Sequence, residues 1–387
     1  MKIKIAIATA TRADYGLLRP IIIKLNKLED IDVRVVVTGA HLSNEFGHTY
    51  KEIEADGIQI DRKIEMLLSS DTNVGVVKSM SLAMAGFSEY FNDLEPDVII
   101  LLGDRYETLA IATAAMMHQI AIVHLYGGEI TEGAIDDVIR HSITKMSDLH
   151  FTSTEAYKRR VVQMGENPER VFSVGAMGVE CAMKVETLTK KSLAESIKIE
   201  LDTPYVLVTF HPMTKGESCS ENEIKGIIEA CICYKELTFI FTKANADVGG
   251  RKINQLIEEA TVKYDHIKLV DSLGSIRYLS ALKSAAFVMG NSSSALVEAP
   301  SFGIPTINIG DRQKGRLQGE SIINCPPIKD SICESIDLAM SSDFKKKIAG
   351  IDNPYGDGET SDRIINQLIR SYKSGQYRKK VFYDINN

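Results

Sequence analysis

Short runs of aliphatic and β-branched residues recur along the chain, separated by segments long enough to form helices. A first series of runs covers 3–9, 32–38, 97–103, 120–126, 149–153 and 170–175. After a polar, lysine-rich stretch at 184–203, a second series covers 205–210, 237–242, 266–270, 286–290 and 305–310. Near-continuous apolar strands that alternate with helices are typical of a parallel sheet covered on both faces. The sequence therefore predicts an α/β protein with two doubly wound, Rossmann-like domains that face a cleft.

The spacing of the two series sets the expected domain boundaries. We expect an N-terminal Rossmann-like domain over 1–180, a C-terminal one over 200–365 and a helical tail over 366–387. The 387 residues are enough for two domains of ordinary size. The pattern leaves open whether the tail stays with the second domain or packs back on the first.

Charge and composition narrow the range of partners. The formal net charge is −7 with acidic and basic residues interspersed, which argues against a nucleic-acid partner. The apolar run near the N-terminus is too short for a signal peptide, and no segment approaches the ~20 apolar residues of a membrane span. The six cysteines are scattered and no H-E-x-x-H spacing occurs. We therefore expect a cytoplasmic protein with no membrane partner, no metal and no cofactor.

Polar clusters follow five of the expected strands, at the point where each strand ends. They are "TRADYG" (11–16), "GDRYE" (103–107), "HLYGGE" (124–129), "HP" (211–212) and "GNSSS" (290–294). Open α/β sheets bind ligands beyond the carboxyl ends of their strands, so these clusters are the candidate ligand contacts.

The cluster at 290–294 has the features of a nucleotide site. Gly290 and Asn291 make a turn, and Ser292, Ser293 and the following serine open a helix whose free N–H groups favour an anion. Glu298 is on the same helix face and could accept hydrogen bonds from ribose hydroxyls. The pattern suits a nucleoside diphosphate; in the alternative, one serine is only an N-cap and Glu298 is a solvated helix residue.

Arg12 follows the first strand, where its planar guanidinium could bind phosphate oxygens; a surface ion pair is the alternative. The first strand is not followed by G-x-G-x-x-G, and no G-x-x-x-x-G-K-[ST] occurs. Neither a dinucleotide site nor a triphosphate P-loop is therefore predicted, and the nucleotide is assigned to the second domain.

Candidate acid–base groups, placed opposite the nucleotide, are Asp104, Glu129, Asp136, Asp137 and His211. Asp104 follows an apolar strand and a glycine, so its carboxylate is expected to be partly withdrawn from water; alternatively it caps the next helix while Arg105 neutralises it. His211 precedes a proline that forces an extended backbone, and its alternative is a core histidine. Structural roles are expected for His41, His48, His118, His124 and His150.

Longer blocks carry a family resemblance. The segments "TRADYG", "VTGAHLSNEFGHTYKEIEADG", "LLGDRYE", "GGEITEGAIDDVIRHSITKMS", "VQMGE", "HP", "GNSSSALVEAPSFGIPTINIGDRQKGR" and "NPYGDG" resemble the hydrolysing UDP-N-acetylglucosamine 2-epimerases of sialic- and legionaminic-acid synthesis, from about residue 3 to about 370. The resemblance implies the GT-B architecture, no metal or redox cofactor, and a homo-oligomer that acts on a UDP-sugar.

The resemblance also implies a reaction and a set of roles. The C2 proton is removed as UDP leaves, giving a 2-acetamidoglucal, and water then adds to give N-acetylmannosamine. Arg12 and Arg316 lie near the phosphates, Asp104 handles a proton with Arg105 at the substrate, Asp137 and Arg140 line the sugar side, His211 is near the leaving diphosphate, and Ser292, Ser293 and Glu298 hold UDP.

One position departs from the family pattern. Many members carry a glutamate two residues after the strand histidine, within "HIEGGE", where this chain has Tyr126. Glu129 or Asp137 is then the candidate for the second catalytic carboxylate.

Four other functions share parts of this pattern. A hydrolysing epimerase of UDP-N,N'-diacetylbacillosamine would differ only in the sugar. A non-hydrolysing epimerase would keep UDP on the sugar, and a GT-B glycosyltransferase would need an acceptor. A nucleotide-sugar sensor would bind without turnover.

Overall fold

The computed structural model describes residues 2–45, 47–68, 70, 72–131, 135–212, 220–244, 250–271, 273–375 and 380–385. Within these residues the chain folds into two compact units. Unit 1 contains the described residues of Met1–Ile130, Ile135–Cys181 and Gly358–Asn387. Unit 2 contains Thr131 and the described residues of Ala182–Asp357. The C-terminal segment thus belongs to unit 1 from residue 358, ahead of the expected tail at 366.

Unit 1 is built on a seven-stranded parallel sheet. Its strands are β1 (Ile3–Thr9), β2 (Ile31–Thr38), β3 (Ile60–Ile64), β4 (Val98–Leu102), β5 (Ala121–Leu125), β6 (Leu149–Thr152) and β7 (Val171–Ser173), in the order β3-β2-β1-β4-β5-β6-β7. Its helices are α1 (Arg12–Leu25), α2 (Tyr50–Ala55), α3 (Asn73–Leu94), α4 (Tyr106–Met117), α5 (Ile135–Met146), α6 (Glu155–Gln163) and α7 (Met177–Lys184), the last of which runs on into unit 2.

Unit 2 repeats the arrangement with six parallel strands. They are β8 (Tyr205–Thr209), β9 (Thr238–Thr242), β10 (Ile267–Val270), β11 (Phe287–Gly290), β12 (Thr306–Ile309) and β13 (Ile322–Cys325), in the order β10-β9-β8-β11-β12-β13. The helices are α8 (Lys190–Ile197), α9 (Ser220–Ile232), α10 (Gly250–Lys263), α11 (Gly274–Ser284), α12 (Ser293–Val297), α13 (Lys329–Met340) and α14 (Ser342–Ile348). A final helix, α15 (Thr360–Ser374), belongs to unit 1.

Three short 3-10 helices complete the described secondary structure, at Gly39–Leu42, Pro168–Arg170 and Ala299–Phe302. None of the helices in the described part of the chain is both long and apolar enough to cross a membrane.

In each sheet the strand order reverses once, between β1 and β4 in unit 1 and between β8 and β11 in unit 2. Helices cover both faces, and successive residues of β1, such as Ile5 and Ala6, point to opposite faces and enter two separate apolar cores. This is the doubly wound arrangement, in which the crevice beyond the reversal is the usual ligand site. The prediction of two Rossmann-like α/β domains is confirmed.

The C-terminal helix closes one core of unit 1. Ile364, Ile365 and Leu368 of α15 are buried in the same cluster as Leu18 and Ile22 of α1. These apolar residues recur at helical spacing, so one face of α15 is buried and the other stays polar.

A buried carboxylate fastens α15 to α7. Glu180, 1% exposed, accepts hydrogen bonds of 2.6 Å from both the main-chain N–H and the hydroxyl of Ser361. The Lys24 ammonium lies 3.2 Å from the same carboxylate. Burial alone would raise the pKa of Glu180, but these hydrogen bonds and the lysine charge hold it below its usual range. We call this group the Glu180 clasp.

Candidate active site

Asp104 lies just beyond β4, after a glycine in the left-handed conformation (Gly103, φ 78°). Its carboxylate accepts a hydrogen bond from Nη2 of Arg140, 36 residues further along the chain. The carboxylate is 27% exposed, whereas the arginine is 2% exposed. Arg105, the neutralising partner in the alternative considered for Asp104, pairs instead with the buried Glu107 at 3.0 Å.

Arg140 connects the candidate groups of unit 1. It lies on α5, and its Nη1 donates to the main-chain oxygen of Glu129 at 2.9 Å and approaches Asp137 Oδ1 at 3.4 Å. Arg140 therefore contacts the carboxylates of both Asp104 and Asp137, each about a quarter exposed. Its place on the sugar side of the site stays a prediction.

The other two carboxyl candidates differ in their surroundings. Glu129 Oε1 accepts a hydrogen bond of 3.0 Å from Ser153, at the end of β6. Asp137 Oδ2 lies 3.4 Å from Nε2 of His141, and burial lowers the pKa of that histidine. Asp136 is exposed at the start of α5. The structure therefore brings Asp104, Asp137 and the Glu129 backbone together around one arginine.

The cluster "TRADYG" serves the first helix. Thr11 Oγ1 accepts from the Asp14 N–H at 3.2 Å, and the Asp14 carboxylate accepts from the Thr11 N–H at 3.1 Å, which is a capping box for α1. Arg12 begins the helix and pairs with Glu52 at 3.1 Å, both side chains being about half exposed. The ion pair that was the alternative for Arg12 is therefore present.

In unit 2 a single asparagine organises the strand ends at the reversal. Asn291 follows β11, is 2% exposed, and exchanges two hydrogen bonds of 2.8 Å with the main chain of His211 beyond β8. The main-chain oxygen of Asn291 accepts hydrogen bonds from the side chains of Arg312 at 2.9 Å and Gln313 at 2.8 Å. His211 thus lies with the serines in unit 2, and its grouping with acid–base residues opposite the nucleotide is corrected.

Sequence reasoning did not single out Arg312 or Gln313. Both lie after β12, the next strand in the sheet, within the quoted block "GDRQKGR". Their position just beyond a strand end is the feature of the sequence that could have identified them. Arg316, which was singled out, is half-buried in the same turn, and its N–H donates to the Gln313 carbonyl at 3.2 Å.

The three serines do not play equivalent parts. Ser292 and Ser293, partly buried, lie at the start of the five-residue helix α12. The Ser294 hydroxyl instead donates to Glu298 at 2.5 Å and lies 2.7 Å from the Tyr278 hydroxyl. Burial raises the pKa of Glu298 to about 7. Glu298 is therefore a partly buried carboxyl with an internal partner, and its description as a solvated helix residue is wrong.

Tyr126, at the departure from the family pattern, has a left-handed backbone (φ 68°) that is uncommon for a large side chain. Its hydroxyl accepts a hydrogen bond of 3.2 Å from the N–H of Gly178, on α7. The side chain thus links the end of β5 to the last helix of unit 1 before the chain enters unit 2.

Two doubly wound parallel units with polar side chains at their strand ends define the Rossmann-like, GT-B class of α/β enzymes. Within that class, the sequence profile of the family described as UDP-N-acetylglucosamine 2-epimerase matches residues 23–369. The chain belongs to this family, which confirms the resemblance found in its motifs.

Relatives and solved structures cover nearly the whole chain. A GDP/UDP-N,N'-diacetylbacillosamine 2-epimerase (hydrolyzing) of Campylobacter jejuni is 43% identical over 99% of this chain and 100% of its own. The UDP-N,N'-diacetylbacillosamine 2-epimerase (hydrolyzing) of Legionella pneumophila is 36% identical over 95% and 96%. A crystal structure of a Neisseria meningitidis UDP-GlcNAc 2-epimerase bound to UDP-GlcNAc has the same fold, with a TM-score of 0.81, 20% identity, and coverage of 96% and 100%.

Proposed function

We propose that the protein is a hydrolysing 2-epimerase and that its substrate is UDP-N,N'-diacetylbacillosamine, a UDP-linked 2,4-diacetamido-2,4,6-trideoxyglucose. The observation that carries the proposal is the pair of carboxylates held by Arg140 at the strand ends of unit 1, in a chain of this family. The sugar is supported by the names of two full-length relatives at 43% and 36% identity.

The proposed chemistry has two stages. A carboxylate takes the C2 proton, the electrons of the C2–H bond form a C1=C2 double bond, and the C1–O bond breaks with its electrons going to UDP. Water then adds its oxygen at C1 while a proton is delivered to C2 on the opposite face. The products are UDP and 2,4-diacetamido-2,4,6-trideoxymannose.

Roles for the residues follow from their places. Asp104 is proposed to transfer a proton, with Asp137 or Glu129 as the second carboxylate, because one arginine holds both aspartates partly exposed. Ser292 and Ser293 are proposed to donate to the diphosphate, with His211 beside them. Glu298 is proposed to accept from the ribose, and Arg12 and Arg316 are proposed to lie near the phosphates. Arg105 is proposed to contact the substrate beside Asp104.

UDP-N-acetylglucosamine is the second candidate substrate. The family description names it, and a Neisseria meningitidis relative with that name is 30% identical over 99% of this chain. The two sugars differ by an acetamido group and a methyl group where hydroxyls would be. A pocket built to bind hydroxyls rejects an analogue that lacks them by several orders of magnitude, on the order of 10⁴.

The test is turnover of each UDP-sugar, with UDP release followed in a coupled assay and the free sugar identified by NMR. We expect a higher kcat/KM for UDP-N,N'-diacetylbacillosamine, and the GDP-linked form of this sugar is assayed beside it. A preference for UDP-N-acetylglucosamine would overturn the sugar assignment only. A UDP-linked epimer as product, or turnover only with an added acceptor, would overturn the hydrolysing reaction.

A further inference from the structure

A buried histidine connects the two elements that carry the paired carboxylates. His124 lies on β5 and is 0% exposed. Its Nε2 is 2.9 Å from the main-chain oxygen of Gly103, the residue before Asp104. Its Nδ1 is 3.1 Å from the hydroxyl of Thr144, one turn after Arg140 on α5.

These contacts close a ring of interactions. Gly103 leads to Asp104 by a peptide bond, Asp104 accepts from Arg140, and Thr144 Oγ1 lies 3.0 Å from the Arg140 main-chain oxygen. His124 then joins Thr144 back to Gly103. Thr144 and His124 are both 0% exposed, so water does not compete for the hydrogen bonds that these two side chains make.

The direction of the two histidine hydrogen bonds follows from their partners. A carbonyl oxygen only accepts, so Nε2 must carry the hydrogen that points to Gly103. Burial lowers the pKa of His124 to about 3, so the ring is neutral at physiological pH. Nδ1 therefore carries a lone pair that faces the Thr144 hydroxyl, whose single hydrogen is shared between Nδ1 and the Arg140 main-chain oxygen. Both ring nitrogens are engaged within the protein, and the imidazole transfers no proton in the reaction.

The packing around the contact between His124 and Thr144 leaves little space. A Cβ atom added at Gly127 would lie 3.1 Å from Thr144 Oγ1 and 3.2 Å from His124 Nδ1. Such contacts are closer than side chains normally make, so an alanine there would require His124 or Thr144 to shift by a few tenths of an ångström. Gly127 of "HLYGGE" thus leaves room for the His124–Thr144 contact.

We propose that His124 is a positioning residue for the epimerase reaction, which fixes the Gly103–Asp104 peptide in register with Arg140 through its Nε2–H. The inference rests on the proposed function and deepens it. Gly103 has the conformational freedom of glycine, so without this donor the peptide before Asp104 can rotate and carry the carboxylate with it. A displacement of about 1 Å at a reacting group can lower the rate on the order of 100-fold.

A matched pair of variants separates positioning from packing. In His124→Gln the amide can place an N–H close to the position of Nε2, whereas in His124→Asn the amide reaches only to the position of Nδ1. We expect His124→Asn to lower kcat on the order of 100-fold with KM and UDP affinity within about twofold of the parent. We expect His124→Gln to stay within about fivefold of the parent kcat.

Equal kcat values for the two variants, whether both high or both low, would overturn the inference. If either variant fails to fold, Thr144→Ser and Thr144→Val replace the pair. The serine keeps the hydroxyl that orients His124 and should retain most of the rate, while the valine should lose about tenfold or more of kcat. Equal rates in these two variants would likewise contradict the positioning role of His124.

Crystal structures of the two histidine variants separate this inference from the proposed function. We expect Asp104 to leave Arg140 in His124→Asn and to stay in His124→Gln, whatever the substrate proves to be. If the parent protein turned over neither UDP-sugar, the proposed function would be wrong. The Asp104–Arg140 contact in the two crystal structures would still test the positioning role of His124. An Asp104 that is unmoved in both variants would remove the positioning role.

Discussion

At the scale of the residue, the candidate site of unit 1 depends on the ion pair between Asp104 and the buried Arg140. Both residues were named from their motifs, but they lie 36 positions apart and meet only because β4 and α5 fold against each other. Sequence proximity favoured Arg105, whose charge is instead taken by Glu107, two residues further along. Local neighbours can be read from a sequence, whereas partners brought together by tertiary packing cannot.

Asp104→Asn tests the proposed acid–base role. The amide keeps the size and can still contact Arg140, but it cannot accept or release the proton, so kcat should fall about 10²- to 10⁴-fold. UDP affinity should be unchanged in calorimetry. The control is Asp136→Asn, an exposed aspartate at the start of α5, which should keep the parent rate. In heavy water the parent should give a product deuterated at C2, and a product that keeps its original hydrogen would exclude elimination.

Glu298 is expected to make UDP binding depend on pH. Its pKa is raised to about 7, so the folded protein without ligand favours the protonated form, and the stability this group contributes is lost as pH rises from about 4.5 through 7. Hydrogen bonds donated by ribose hydroxyls favour the ionised form of Glu298. UDP should therefore bind more weakly, and release more protons on binding, as pH falls from about 7 to 5.

Calorimetry in buffers of different ionisation enthalpy measures this proton release. The diphosphate titrates in the same range, so the Glu298 contribution is the difference between the parent and Glu298→Gln. The variant should bind UDP with a smaller pH dependence. Identical proton release in the two proteins would remove Glu298 from the nucleotide site.

At the scale of the element, eleven strands were predicted within two residues of their observed ends, and two were missed. The missed strands are β3 (IDRKI) and β13 (IINC), which lie at one edge of each sheet. An edge strand faces solvent along one side and can carry charged residues, so its apolar signal is weak. Central strands are buried on both faces and give continuous apolar runs.

Gly290 is expected to be essential to the end of β11. Its φ is 132°, and a Cβ there would run into the main-chain oxygen of Thr209 on β8. Gly290→Ala should therefore destabilise the protein by about 3 kcal/mol or more, since strain and a backbone clash combine. Gly303→Ala is the matched control, because its φ is 65° and nothing lies within 4 Å, so only the conformational cost of about 1–2 kcal/mol remains.

Urea unfolding of both glycine variants gives the comparison. A loss for Gly290→Ala no larger than that for Gly303→Ala would mean that β8 and β11 yield at this point. Because Gly290 precedes Asn291, loss of the turn should also weaken UDP binding in the first variant and not in the second.

At the scale of the whole molecule, the Glu180 clasp decides where the chain end belongs. The sequence showed an amphipathic helix near the C-terminus but not which unit would bury its apolar face. The deciding interactions join residues far apart in the chain, with Glu180 bound to Ser361 and Lys24. Such long-range contacts cannot be predicted from composition or from hydrophobic periodicity.

Glu180→Gln tests the clasp. Replacing a buried carboxylate that accepts two hydrogen bonds of 2.6 Å should cost about 1.5–3 kcal/mol of unfolding free energy at pH 7. The pKa of Glu180 is held below 4.5, so its contribution is present above that pH and is lost as pH falls through the lowered value. The difference between parent and variant should therefore shrink in acid.

Thermal and urea unfolding at pH 7 and in acid provide the measurement. Asp362→Asn is the control, since this aspartate contacts the same lysine at 2.7 Å but is 46% exposed and should contribute less than about 1 kcal/mol. Equal losses for both variants, or a difference that grows in acid, would contradict the role given to the clasp.

The return of α15 to unit 1 also sets an order for biosynthesis. Translation delivers the sheet of unit 1 first, yet the apolar surface around Leu18 and Ile22 stays uncovered until residues 358–387 leave the ribosome. Almost all of unit 2, Ala182–Asp357, has been made by then and can fold before its predecessor is complete. The half of the enzyme that is synthesised first is therefore the last to complete its core. A nascent chain stalled before α15 exposes this apolar surface, to which chaperones or proteases can bind.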